Sequence, residues 1–91
     1  MRRLFAATVA PLVAHDAQYG GELVRTVREW LACAGSLETA AGALRTQPHT
    51  VAYRIERIRG LTALDPHDAA GRERLSLGLR AHRVLAPRLP R

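Results

Sequence analysis

The chain has 91 residues, 47% of them hydrophobic and 24% charged, a balance that excludes a disordered tail and allows one small folded domain. Every one of its 14 basic residues is arginine, and the excess is local: residues 1–44 carry four arginines and four acids, whereas residues 45–91 carry ten arginines and four acids, a net of +6. That asymmetry turns the second half toward a polyanion, while a single cysteine, Cys33, excludes an internal disulfide framework and suits a reducing cytoplasm.

The N-terminus, Met1-Arg2-Arg3 followed by an apolar run from Leu4 to Ala14, begins as a secretory leader does. Pro11 interrupts the run, no small-x-small cleavage site precedes His15 and Asp16, and the run is too short to cross a bilayer. A core-facing first helix over about residues 3–15 is expected instead, with Phe5, Val9 and Leu12 on one side and Pro11 bending or dividing it. Tyr19-Gly20-Gly21 breaks the chain. A second helix over about 21–34 follows, its stripe made of Leu23, Val27, Trp30, Leu31 and Ala34, with Trp30 the largest piece of core. Gly35 suits the stop of that helix and Ser36 the cap of the next.

Helix 3, about 36–45, has a narrow stripe of Leu37, Ala40, Ala41 and Leu44, small enough to admit a close neighbour. Thr46 and Gln47 make a tight turn, and Pro48 falls where a first helical turn accepts it. Helix 4 is expected over about 47–60, ending at Gly60. Asp65 reads as the cap of helix 5, about 66–85, with Pro66 as its first residue and Asp68 in its first turn. Gly71 and Gly78 weaken that helix by about 1 kcal/mol each relative to alanine. Residues 1–86 form the domain and 87–91, Pro-Arg-Leu-Pro-Arg, a flexible tail. No alternating β pattern is present, so the fold class is all-α.

At about 100° per residue, Val51, Ile55 and Ile58 of helix 4 fall within about 40° of one direction, which must face the core. His49, Tyr53, Glu56 and Arg57 lie opposite, with Thr50 and Arg54 on one flank and Ala52 and Arg59 on the other. A short small-residue helix, a turn and an apolar-anchored helix form a helix-turn-helix, whose second helix enters the major groove of double-stranded DNA. Thr50, Tyr53 and Arg57 are then phosphate or base contacts, and Gln47 and His49 base readers by position. Arg45 adds non-specific attraction, and Arg54 either meets phosphate or ties helix 4 to an acid such as Glu38. Glu56 repels phosphate unless it accepts from a cytosine amine. Enzyme chemistry finds no support. The four histidines lack metal spacing, there is no phosphate loop or serine elbow, and no cofactor is expected.

Leu75, Leu79 and Ala86 stripe one side of helix 5, with Leu77, Ala81 and Val84 nearly opposite. Such a helix either buries both sides within one chain or meets a second copy, which leaves room for a homodimer through helix 5 or helix 1. A non-catalytic helical interaction module with decayed DNA binding is the alternative reading of the whole.

From Val9 to Leu85 the chain resembles the C-terminal helix-turn-helix domain of PucR-type transcriptional regulators. The pieces that carry the resemblance are Ala10-Pro11-Leu12-Val13 with His15-Asp16, then Leu23 through Leu31 and Gly35-Ser36-Leu37. Thr39-Ala40-Ala41, Leu44, Thr50-Val51-x-Tyr53-Arg54-Ile55-x-Arg57-Ile58 and Leu61-Thr62-x-Leu64-Asp65 complete it. The resemblance implies a Fis-like bundle of five packed helices, helix 4 as DNA reader, and a place after a large sensory region in a bacterial regulator. One departure bears on recognition. Where the family commonly has His-Arg-Asn before the threonine, this chain has Gln47-Pro48-His49, and proline offers no donor.

Overall fold

The computed structural model describes residue 3 and residues 8–85. Among these residues five helices are bounded, in order: α1 (Ala10–Tyr19), α2 (Leu23–Ala32), α3 (Leu37–Leu44), α4 (Pro48–Thr62) and α5 (Ala69–Leu85). No strand occurs among the described residues. Helix α2 is the hub and packs against all four others, while α4 packs against α1, α2 and α3. The core they enclose contains Leu12, Val27, Trp30, Ala40, Leu44, Val51, Ile55, Ile58 and Leu75.

Helix α1 starts later and ends later than its apolar pattern suggests. Arg3 and Thr8 are helical, Val9 is a turn, and the helix begins at Ala10 with Pro11 in its first turn. Pro11 therefore marks a division, where its missing donor costs nothing. The expected place of Phe5 lies outside the described residues. The helix runs on past residue 15 to Tyr19 and is closed by Gly20 in the left-handed region. Its last turn is polar, so apolar periodicity could not report it.

That last turn does structural work. Helix α2 has no cap from its own N-terminal residue Glu22. Asp16 of α1 supplies it from outside: Oδ1 accepts from the Leu23 amide at 2.8 Å and Oδ2 from the Val24 amide at 3.0 Å. A carboxylate at a helix N-terminus satisfies two orphan donors and opposes the helix dipole. Replacing Asp16 with alanine is expected to cost about 1–2 kcal/mol, with Asn, which keeps one acceptor, costing less. Urea denaturation checks this, and equal midpoints for both variants and the parent would refute it.

Leu23, Thr26, Val27 and Trp30 are the buried face of α2. Ala34, expected in that stripe, lies beyond the helix and is exposed with φ 52°, followed by Gly35 at φ 78°. Two successive left-handed residues unwind the chain, and the Gly35 amide closes the end on the Trp30 carbonyl at 2.9 Å. Ser36 caps α3 as expected, accepting from the Thr39 amide at 3.4 Å and donating to the Thr39 hydroxyl at 2.9 Å.

Helix α4 does not stop at Gly60 but continues to Thr62, with Ala63 at φ 58° as the terminator. The extra turn buries Thr62, whose hydroxyl donates to the Ile58 carbonyl at 2.7 Å and accepts from the Leu64 amide at 3.2 Å. A mid-helix glycine costs about 1 kcal/mol, less than that burial and pairing return. The start of α5 is also displaced, to Ala69. Asp65 accepts from the His67 amide at 2.9 Å to hold a turn, and Asp68 is the residue that caps, accepting from the Gly71 amide at 2.5 Å.

Gly71 and Gly78 have a positive reason to be in α5. A Cβ on Gly71 would collide with the Asp65 carbonyl, and one on Gly78 with the Thr8 side chain. Both allow α5 to lie against backbone or a buried threonine at a distance no other residue permits. This contact widens the buried arc of α5. Leu75, Leu79 and also Ala81 are inside, so Ala81 does not belong to an outward stripe, while Leu77 (38% exposed) and Val84 (48%) remain outside. Ala86 and residues 87–91 lie outside the described residues.

Candidate nucleic-acid interface

The candidate surface rests on a three-residue turn between α3 and α4. Arg45 takes the left-handed conformation at φ 55°, and its amide and that of Thr46 close α3 on the Gly42 and Ala41 carbonyls at 3.2 and 3.0 Å. Gln47 is extended, and Pro48 begins α4. The proline thus fills the one helical position where its ring is favourable, which gives Pro48 a local structural role.

Beneath the surface, Val51, Ile55 and Ile58 are at most 1% exposed. Each such side chain contributes about 1.5–3 kcal/mol of burial, so the rotational setting of α4 is fixed. The opposite side is open: Tyr53 is 66% exposed, and Arg45, Gln47, His49, Glu56 and Arg57 are exposed, while Thr50 and Arg54 are half-buried. The turn and α4 thereby bring all seven expected contact residues, Arg45, Gln47, His49, Thr50, Tyr53, Arg54 and Arg57, onto one continuous segment of chain.

Their electrostatic standing differs. Arg54 leans inward across α2, with Nη1 3.6 Å from Glu22 Oε2 and 3.5 Å from the Thr26 hydroxyl. The acid it meets is Glu22, not Glu38, because the N-terminal end of α2 is what packs beside this turn of α4. Glu56 is held on the flank, 3.8 Å from Arg59 and 3.9 Å from His67 Nε2. Arg57 meets His15 Nε2 at 3.3 Å. Among the described residues, neither Arg45 nor Arg57 has a carboxylate within ion-pair distance.

Three residues that matter here carried no signal as site residues in the linear pattern. Glu22 sits just ahead of α2, and His15 and Tyr19 sit on a turn of α1 beyond its apolar stripe. The rings of His15 and Tyr19 lie 4.8 Å apart between centroids, tilted by 45°. Only the packing of α1 and α2 on α4 brings them beside Arg54 and Arg57. No cluster of three or more potential metal ligands occurs among the described residues, and no helix among them is long and apolar enough to cross a membrane.

Two helices joined by a three-residue turn, the second anchored by aliphatic residues and open on its polar side, define a helix-turn-helix protein. The chain belongs to the family of PucR C-terminal helix-turn-helix domains, whose sequence profile matches residues 23–81, from the start of α2 into α5. Membership makes it a DNA-binding regulatory domain. It is also similar to uncharacterized proteins of Mycobacterium bovis and of two strains of Mycobacterium tuberculosis, 40% identical over 50 residues in each case. The match takes in 55% of this chain, which spans only 12% of the length of those relatives. No solved structure matches the chain.

Proposed function

We propose that this domain binds specific sites in double-stranded DNA for a bacterial transcription regulator in the cytoplasm, with α4 lying in the major groove. The observation that carries this is the setting of α4: its aliphatic edge is enclosed, and the side bearing Gln47, His49, Tyr53 and Arg57 is exposed among the described residues. Arg45 and Arg57 neutralise phosphates and release counterions, which supplies most of the affinity. Gln47 and His49, at the N-terminal end of α4, are the residues that reach base edges. Thr50 and Tyr53 fix register through phosphate oxygens. Arg54, already engaged by Glu22, chiefly holds α4 to α2. A pair of domains joined at α5, where Leu77 and Val84 are exposed, or at α1 would present two reading helices about 34 Å apart.

Selection from a pool of random duplexes with the purified chain, at two salt concentrations, tests this. The expected outcome is a short enriched motif, bound more weakly at the higher salt. Asn in place of Gln47, or Ala in place of His49, is expected to change the preferred base at one position at a cost of about 1–3 kcal/mol against the original site. Unchanged preference in both variants would remove these residues from base reading. A two-fold symmetric motif would indicate a dimer on the DNA, and a single half-site a monomer.

A further inference from the structure

We infer that the DNA-binding surface extends past α4 along its seam with α1, where His15, Tyr19 and Arg57 form a seat for one backbone phosphate of the duplex. This rests on α4 being the helix that faces DNA. It adds residues of α1, an element that lies outside the matched residues 23–81.

Two hollows adjoin in the seam. The larger, about 570 Å³, lies between the α1–α2 corner and Thr50, Tyr53 and Arg54 of α4. The smaller, about 300 Å³, lies toward Pro11, Gln18 and Leu61. His15, Tyr19 and Arg57 line both, so the trio stands at the divide of a trough that runs beside α4 rather than on its outward crest.

The chemistry at that divide suits a single anionic oxygen group. A guanidinium only donates, so its 3.3 Å contact with His15 Nε2 is a hydrogen bond in the tautomer that carries the ring proton on Nδ1. Nδ1 is itself buried with no hydrogen-bond partner, so the ring is not held there by a competing bond and its polar contact is with Arg57. One N–H of Arg57 is thereby used to hold the side chain against α1, and the others remain for a ligand. His15 is a positioning residue: it sets where the guanidinium waits without neutralising it. Tyr19, tilted by 45° against His15 and 67% exposed, places a hydroxyl-bearing ring on the same edge, and Tyr53, 66% exposed, flanks the other side.

The charges around the trough select which end a phosphate takes. Glu22 closes the far end of the larger hollow, paired with Arg54 at 3.6 Å and Arg25 at 3.3 Å. A carboxylate there repels a phosphodiester, and its two arginines are already engaged. Asp16, next to the corner, has both oxygens occupied by the α2 amides. Among the described residues Arg57 is the cation lining the trough with no carboxylate within ion-pair distance, so phosphate settles at the divide. With α4 in the major groove, the strand that borders the groove passes over this seam.

The test is titration of the purified 91-residue chain against a fluorescently labelled duplex of mixed sequence, followed by anisotropy across a series of NaCl concentrations, with thermal midpoints measured for every variant. Tyr19→Phe is expected to weaken binding by about 3–10-fold on all sequences with an unchanged salt slope, because a neutral donor releases no counterion. His15→Leu is expected to weaken it by a similar factor, and His15→Gln, which keeps an acceptor for Arg57, to restore most of the loss. If His15→Leu does not fold, Tyr19→Phe, at an exposed position, decides alone. Parental affinity in Tyr19→Phe and in every folded His15 variant, together with a reduced slope for Arg57→Ala, would overturn the inference and leave α4 as the reader. Parental slope in Arg57→Ala would overturn both.

Discussion

Alanine at Trp30 is expected to cost the domain about 3–5 kcal/mol, a large part of the 5–15 kcal/mol typical of a native protein. Trp30 is 3% exposed and lies in α2, the helix that touches every other. Its loss opens a cavity in the core on the helix that packs against the four others. The indole also makes a specific bond, Nε1 donating to the Pro66 carbonyl at 2.9 Å, and it stands edge-on to His67 with centroids 5.4 Å apart. These contacts pin the turn between α4 and α5 to the hub. Phenylalanine separates the two parts: it restores much of the volume but leaves the buried Pro66 carbonyl without its donor, for about 1–3 kcal/mol. Urea unfolding followed by far-UV circular dichroism reads both. A midpoint for Trp30→Ala within error of the parent would show that the core is not organised about this residue.

Replacing Arg45 and Arg57 together with alanine is expected to lower DNA affinity by about 100-fold, roughly 1.4 kcal/mol for each lost charge-assisted contact. The log–log salt slope should fall in magnitude by about 1.8, since each phosphate contact contributes about 0.9. These two arginines are chosen because no carboxylate among the described residues lies within ion-pair distance of them; a cation already paired within the fold must first give up its partner. Arg54→Ala is accordingly expected to act differently. Arg54 bridges to Glu22 and Thr26, so its loss reduces thermal stability modestly, with a slope near the parent's. Equal slopes for the double variant and the parent would show that neither arginine meets phosphate.

How much of this could be read from the chain depended on the distance over which each effect acts. The stripe Val51, Ile55, Ile58, the cap at Ser36, the turn at Gly35 and Pro48 at the head of α4 are local chemistry, and each was legible as such. So was the large core role of Trp30. The cap that Asp16 gives α2 was not, because a residue two helical turns upstream acts only once α1 folds back at Gly20. The pairing of Arg54 with Glu22 and of Arg57 with His15 joins residues 32 and 42 positions apart, and a helical wheel of α4 alone does not contain it. The glycines of α5 looked like weak points because propensity sees one helix at a time, and a close approach takes two. Gly60 misled in the opposite sense, as tertiary burial of Thr62 overrode a local stop.

Arg45 occupies a backbone conformation that disfavours any side chain bearing a Cβ, by about 1–2 kcal/mol, at the corner where α3 turns into α4. A glycine there would relax the corner, and foldedness alone favours that exchange. On the proposed role of Arg45 as a phosphate contact, folding and ligand capture rank residues at position 45 in opposite orders. Variants screened only for heat resistance should drift to glycine at this corner and, in doing so, shed nucleic-acid affinity, so a thermally hardened form of the domain would be a poorer regulator.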